Sequence, residues 1–286
     1  MNYQHAFHAG NHADVLKHVV LLAICDALTA KPTPCFALDT HAGGGVYRLL
    51  EARARRTAEA DDGINLLLAS SPKQPLLRRY LDAVAACRAA HGADAYPGSP
   101  WLLAHALRAQ DRIACCEIEP AAAGALRRAL GGDPRVSVHA GDGYAAMKSL
   151  LPPRHGAQRF NRGLVLIDPP YEAQAAEFDI AWRAMRETLA RWPQGIQALW
   201  YPIKQRRTLS PFLRAASKLQ TRSTLLVELL VRKDDSPLRM NGSGLLLLDP
   251  PWQLATALAP ALDELRALLG EDVGADTRLH WLREPA

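Results

Sequence analysis

The residues best placed to do chemistry are Asp168, Pro169, Pro170 and Tyr171, which end the apolar run GLVLI at 163–167. The carboxylate of Asp168 and the carbonyl of Pro169 can each accept a hydrogen from an exocyclic amine. That draws the nitrogen lone pair out of conjugation and towards an electrophilic methyl group. The prolines stiffen the loop and leave its carbonyl outside any ladder. Tyr171 can stack on a planar base. Asp168, Pro169 and Tyr171 are therefore the catalytic candidates.

Three other short stretches carry supporting types. LDTHAGGG (38–45) follows an apolar run and contains His41 and Gly43; its glycines let backbone approach a ligand closely. It lacks the Gly-Lys-Ser/Thr of a phosphate loop. Glu117 falls near the end of RIACCEIE (112–119), where a carboxylate can accept from both hydroxyls of a ribose. Glu119 precedes Pro120 and suits a helix cap. GDG (141–143) offers Asp142 for an adenine amine and Gly143 for close approach. At the N-terminus, HAFHAGNHADVLKH (5–18) holds His5, His8, His12 and His18. It lacks the cysteines or HExxH of a zinc site, so no metal is expected. Either Asn11 or Asp14 caps an amphipathic helix there, or the segment forms a lid whose His, Tyr and Lys side chains, Tyr3 and Lys17 among them, reach a base or phosphate.

The elements that must position these residues alternate in type. Apolar, partly β-branched runs predict strands at 34–40, 112–119, 136–142, 163–170, 196–203, 223–232 and 242–251. Helical patterns lie at 120–132, 173–192, 207–219 and 253–269. This alternation predicts a mostly parallel sheet covered on both faces. The 41–111 connection is too long for one crossover; helices at 45–59, 61–70 and 74–91 would make 46–97 a helical insertion, leaving 1–45 and 98–286 as the main domain. A second Asp-Pro-Pro ends GLLLL at 244–248. The connection before that run is too short for a parallel crossover, so the last of the seven strands should run backwards. Ligands gather at the carboxyl ends of parallel strands. Asp168 then faces them, while Asp249 lies on the opposite rim, with Trp252 packed as a strand exit.

Bulk properties narrow the classes. Half of the 286 residues are hydrophobic (49%) and 22% are charged, as in globular proteins. No apolar run is long enough for a membrane helix, and the polar N-terminus does not read as a signal peptide. Five cysteines without CxxC suit reduced thiols in a cytoplasm. A net charge of +5 is compatible with a polyanionic partner.

The order HAFHAGNHADVLKH, LDTHAGGG, YPGSP, CEIEP, GDGY and DPPYE resembles, over nearly the whole chain, the bacterial 23S rRNA adenine-N6 methyltransferases of the large-subunit methyltransferase J family. The resemblance implies a Rossmann-like class I methyltransferase fold with a small helical subdomain after the glycine loop. It implies S-adenosylmethionine bound by His18, His41, Ser99, Glu117, Asp142 and Gly143. Asp168 would be the catalytic acceptor and Tyr3 would touch RNA. A cytoplasmic monomer acting on 23S rRNA, with no DNA or membrane partner, is the corresponding expectation. The competing readings are a DNA adenine or cytosine-N4 methyltransferase, which usually carries a separate recognition region; a glutamine methyltransferase; and a non-enzymatic RNA-binding module, which would show interleaved aromatics that a 6% aromatic content does not supply.

Overall fold

The computed structural model describes residues 9–50, 60–171, 174–236 and 240–285. Its strands are β1 (Phe36–Asp39), β2 (Val46–Arg48), β3 (Ala95–Pro97), β4 (Arg112–Glu117), β5 (Val136–Ala140) and β6 (Arg154–His155). They continue as β7 (Gln158–Arg159), β8 (Gly163–Ile167), β9 (Gly195–Ile203), β10 (Thr224–Leu230), β11 (Gly242–Leu248) and β12 (Asp276–Arg283). The α-helices are α1 (His12–Thr29), α2 (Ile64–Ala69), α3 (Pro75–His91), α4 (Ser99–Ala106) and α5 (Pro120–Leu130). After them come α6 (Gly143–Leu150), α7 (Gln174–Arg191), α8 (Ser210–Ala216) and α9 (Leu254–Leu269).

Eight strands form one sheet in the order β12-β10-β11-β9-β8-β1-β4-β5. The five strands from β9 to β5 are mutually parallel. β11 runs antiparallel to β9 and β10 on either side, as the short preceding connection predicts. Successive residues feed opposite faces. Thus Cys115, Ala37 and Leu164 join the core beneath α1, α3, α5 and α9, while Cys116, Leu38 and Val165 join the core beneath α6, α7 and α8. Burial on both faces explains why these strands read as unbroken apolar runs. The five cysteines are buried and unbridged.

The seven-stranded expectation is one strand short. β12 pairs antiparallel with β10 at the sheet's edge, and its mixed DTRLHWLR pattern reflects an edge that is only partly covered. The helix expected over 45–59 is also corrected at its start. Val46–Arg48 is a strand paired antiparallel with Ala95–Pro97, while 51–59 lies outside the described residues. The 207–219 helix is shorter, a 3-10 turn at Arg206–Leu209 followed by α8.

Among the described residues, no helix is long and apolar enough to cross a membrane. α1 is the central helix of one face. Asn11 caps it by accepting the Ala13 and Asp14 N–H groups, and every residue from Asn11 to Cys25 is buried. This part of the N-terminal motif is therefore core rather than lid; Tyr3, His5 and His8 lie outside the described residues.

Candidate active site

The carboxyl ends of β1, β4, β5 and β8 bring Asp39, Glu117, the Asp142 turn and Asp168 to one rim of the sheet. After β1 the chain turns through Ala42–Gly45. Gly43 has φ +62°, and a Cβ there would lie 2.1 Å from the Tyr47 hydroxyl oxygen. Tyr47 fills the space beneath the loop, its Oη accepting the Gly44 N–H at 3.1 Å. Glu117 ties the same loop to β4. Its Oε2 accepts the Gly43 N–H at 2.8 Å and its Oε1 the Glu119 N–H at 2.7 Å. Each carboxylate oxygen retains a second lone pair for a hydroxyl. Glu119 is the N-cap of α5, accepting the Ala122 N–H at 2.6 Å.

At the end of β5, Asp142 caps α6 through the Tyr144 N–H at 2.8 Å. Gly143 is packed against β1: a Cβ would lie 2.0 Å from the Thr40 carbonyl oxygen. His41 shares a 2.7 Å hydrogen bond between Nδ1 and the Thr40 hydroxyl, and its ring meets Tyr144 edge-on at 5.2 Å. Burial pushes its pKa down to about 4, outweighing the nearby Asp168 and Asp142, so the ring is neutral at pH 7.

Asp168 follows β8 directly and is bound from α1. Lys17 Nζ donates to its Oδ2 at 2.6 Å and pairs with Asp14 Oδ1 at 2.8 Å. Asp14 in turn accepts the Gly10 N–H at 2.9 Å. Burial alone would lower the Lys17 pKa, but the two carboxylates overcome it and hold the ammonium well above its ordinary value. Lys17 is thus a fixed cation. Tyr171 has φ +49°, a left-handed conformation that is strained for a tyrosine. Its hydroxyl donates to the Trp200 carbonyl at 2.6 Å, and its ring packs against Phe178 and Trp200 with centroids 5.2 and 5.8 Å away.

Two features of the site carry no mark in the sequence. Asp39, fully buried at the tip of β1, has the Ser99 hydroxyl and the His41 N–H nearby, but neither reaches its carboxylate in good hydrogen-bond geometry. Burial pushes its pKa up to about 6, a rise that weak hydrogen bonding from Ser99, the first residue of α4, moderates, that Asp168 increases, and that Lys17 and the His41 N–H lessen. In LDTHAGGG this aspartate reads as an acid ahead of the glycines, and nothing in the string marks it as buried. The second is a buried chain of groups from α3 and β3 to α1: Tyr80 Oη lies 2.8 Å from Tyr96 Oη, which lies 3.0 Å from His18 Nδ1. Only the fold brings these positions together.

The other Asp-Pro-Pro is built differently. Asp249 follows the reversed β11, with φ +51°, and accepts the Arg222 and Ser223 N–H groups at 2.7 and 3.0 Å. It braces the start of β10 on the opposite rim. Trp252 does not pack as expected but is 76% exposed.

A family model described as "Ribosomal RNA large subunit methyltransferase D, RlmJ" matches residues 32–283. A Haemophilus influenzae protein named ribosomal RNA large subunit methyltransferase J is 36% identical over 286 residues, spanning 99% of both chains. An Escherichia coli protein of the same name is 35% identical over 282 residues, again with 99% of both chains covered. Among solved structures, a Legionella pneumophila protein superposes with a TM-score of 0.83 at 28% identity, covering 96% of this chain and 98% of its own.

Proposed function

The chain belongs to the ribosomal RNA large-subunit methyltransferase J family, and on that premise we propose that it transfers a methyl group from S-adenosylmethionine to the N6 amine of an adenine in 23S rRNA. The observation that carries this reading is Asp168-Pro169-Pro170-Tyr171 at the end of parallel β8, beside the glycine loop of β1 and on the same rim.

The residues present suit the cofactor. Asp39, a buried carboxylate met only loosely by Ser99 and the His41 N–H, fits an ammonium group. Glu117 offers spare lone pairs to a ribose diol. Gly143 leaves room only for a hydrogen against Thr40, so the Asp142 turn can lie flat beside a base. His18, His41 and Ser99 complete the proposed pocket. When bound, S-adenosylmethionine supplies an electrophilic methyl group.

The chain's own residues handle the amine. Adenine N6 is reached only when the base leaves its stack. Asp168 Oδ1 and the Pro169 carbonyl accept its two hydrogens, while Lys17 keeps Oδ2 occupied and the carboxylate oriented. That draws the nitrogen lone pair out of conjugation with the ring and towards the methyl group, and the excess N6 proton is lost during or after the transfer. The gain comes from positioning and from charge fixed in advance. Tyr171, anchored through its hydroxyl, supports the loop and presents a ring edge to the base. Tyr3 and Lys17 are the proposed RNA-side residues, Lys17 acting through Asp168. In this reading 46–97 is a helical insertion within a methyltransferase domain formed by 1–45 and 98–286. Its support is that α2 and α3 lie between the paired strands β2 and β3.

The test is incubation with methyl-labelled S-adenosylmethionine and, separately, 23S rRNA, 16S rRNA and duplex DNA lacking the modification, followed by nucleoside analysis. Label recovered as N6-methyladenosine from 23S rRNA alone is expected. Label in DNA alone, or in cytosine, would replace this reading.

A further inference from the structure

We propose that Tyr96, backed by Tyr80, is a positioning residue that holds His18 in the tautomer with its proton on Nε2. The proposal rests on the reading of His18 as a cofactor ligand and adds the reason why its ring presents a donor.

The three groups are sealed from water: Tyr80 and Tyr96 are 0% exposed and His18 is 1% exposed. Burial pushes both phenols upward in pKa, so each keeps its hydrogen. A buried hydroxyl hydrogen needs an acceptor. Among the described residues, Tyr96 Oη has two hydrogen-bonding partners, Tyr80 Oη and His18 Nδ1. Tyr80 Oη has Tyr96 as its hydrogen-bonding partner, and no other is found for it among the described residues. If Tyr80 donates to Tyr96 and Tyr96 donates to Nδ1, every hydroxyl hydrogen is satisfied. In the opposite direction Nδ1–H donates to Tyr96 and Tyr96 to Tyr80, which strands the Tyr80 hydrogen in an apolar core. The first direction is therefore favoured. It makes Nδ1 an acceptor and puts the proton of the neutral ring on Nε2.

A donor at Nε2 matches the carboxylate of an amino-acid ligand, such as the methionine portion of the proposed cofactor. The other tautomer would present a lone pair to that negative charge. Both tyrosines come from the segment between β1 and β4, Tyr80 on α3 and Tyr96 on β3, whereas His18 is on α1. The two tyrosines therefore contribute to the site through the histidine proton. Phe at position 96 would pack as well but could not assign the proton.

The full-length protein labelled with 15N-histidine, without cofactor and at mildly alkaline pH, gives the answer by NMR. The His18 ring is assigned by its disappearance in His18→Gln. The expected pattern is a protonated Nε2 and an unprotonated Nδ1, retained in Tyr80→Phe and lost to a tautomer mixture in Tyr96→Phe. Calorimetric titration with S-adenosylhomocysteine should show Tyr96→Phe binding on the order of tenfold more weakly. A protonated Nδ1 in the wild type, or a Tyr96→Phe protein unchanged in both spectrum and Kd, would overturn the proposal. A His18→Gln protein that binds S-adenosylhomocysteine normally would instead remove His18 from the cofactor site, leaving the tautomer to be judged by the spectrum alone.

Discussion

Asp39 is kept at a cost that its position explains. Its carboxyl titrates near 6 rather than at 3.8 because burial disfavours the charge. The folded state therefore binds the proton more tightly than the unfolded chain. The destabilisation is absent below pH 4, grows as pH rises through the interval to 6, and is complete above it. Such a shift corresponds to about 3 kcal/mol. Without cofactor, Asp39→Asn should raise Tm at pH 8 by several degrees and leave it nearly unchanged at pH 4; an equal change at both pH values would refute the assignment. The same variant should bind S-adenosylmethionine at least tenfold more weakly, as measured by equilibrium dialysis. Residue types and order in the sequence were enough to single out Asp168, Glu117 and the Asp142-Gly143 turn. They could not single out Asp39, which differs from an ordinary strand-end aspartate only in its burial, nor Tyr80 and Tyr96, whose partner lies on a helix far away in the chain.

At the scale of elements, the same Asp-Pro-Pro string lies on two opposite rims because its strands point in opposite directions. Asp249 satisfies two backbone N–H groups at the start of β10. Asp249→Ala should therefore cost about 1–3 kcal/mol of stability in a denaturant titration, without changing cofactor affinity. Gly143 shows how tightly α6 is set against β1. With a Cβ 2.0 Å from a carbonyl oxygen, Gly143→Ala must displace the helix start. A loss of cofactor binding larger than the loss of secondary structure by circular dichroism is expected; normal affinity would show that the turn is not part of the pocket. The direction of β11 was legible because a short connection leaves no room for a crossover. β12 was not, since half-covered edge strands lack the unbroken apolar run that marked the others. Nor was the β2–β3 pairing, whose three-residue strands carry too little pattern to outweigh the helical character of what lies between them.

At the scale of the molecule, the sheet is not level along the active rim. β8 ends opposite Leu199, whereas β9 continues to Ile203. At about 3.3 Å per residue that raises a wall roughly 13 Å beyond the end of β8. Lys204 and Arg207 stand at its top, exposed and without an ion pair among the described residues, on a loop anchored by Arg206 to the buried Glu228 at 3.1 Å and to Asp276 at 2.6 Å. Replacing Lys204 and Arg207 with glutamine should weaken rRNA binding and reduce the magnitude of its log–log salt slope by roughly 1 to 2, with S-adenosylhomocysteine affinity intact; an unchanged slope would place the RNA elsewhere. The most direct test of the account compares Asp168→Asn with Asp249→Asn in methyl transfer to 23S rRNA at saturating S-adenosylmethionine. A fall of at least a hundredfold for Asp168→Asn, with Asp249→Asn within a few-fold of wild type, is the predicted result; full turnover by Asp168→Asn, or comparable losses in both, would contradict it.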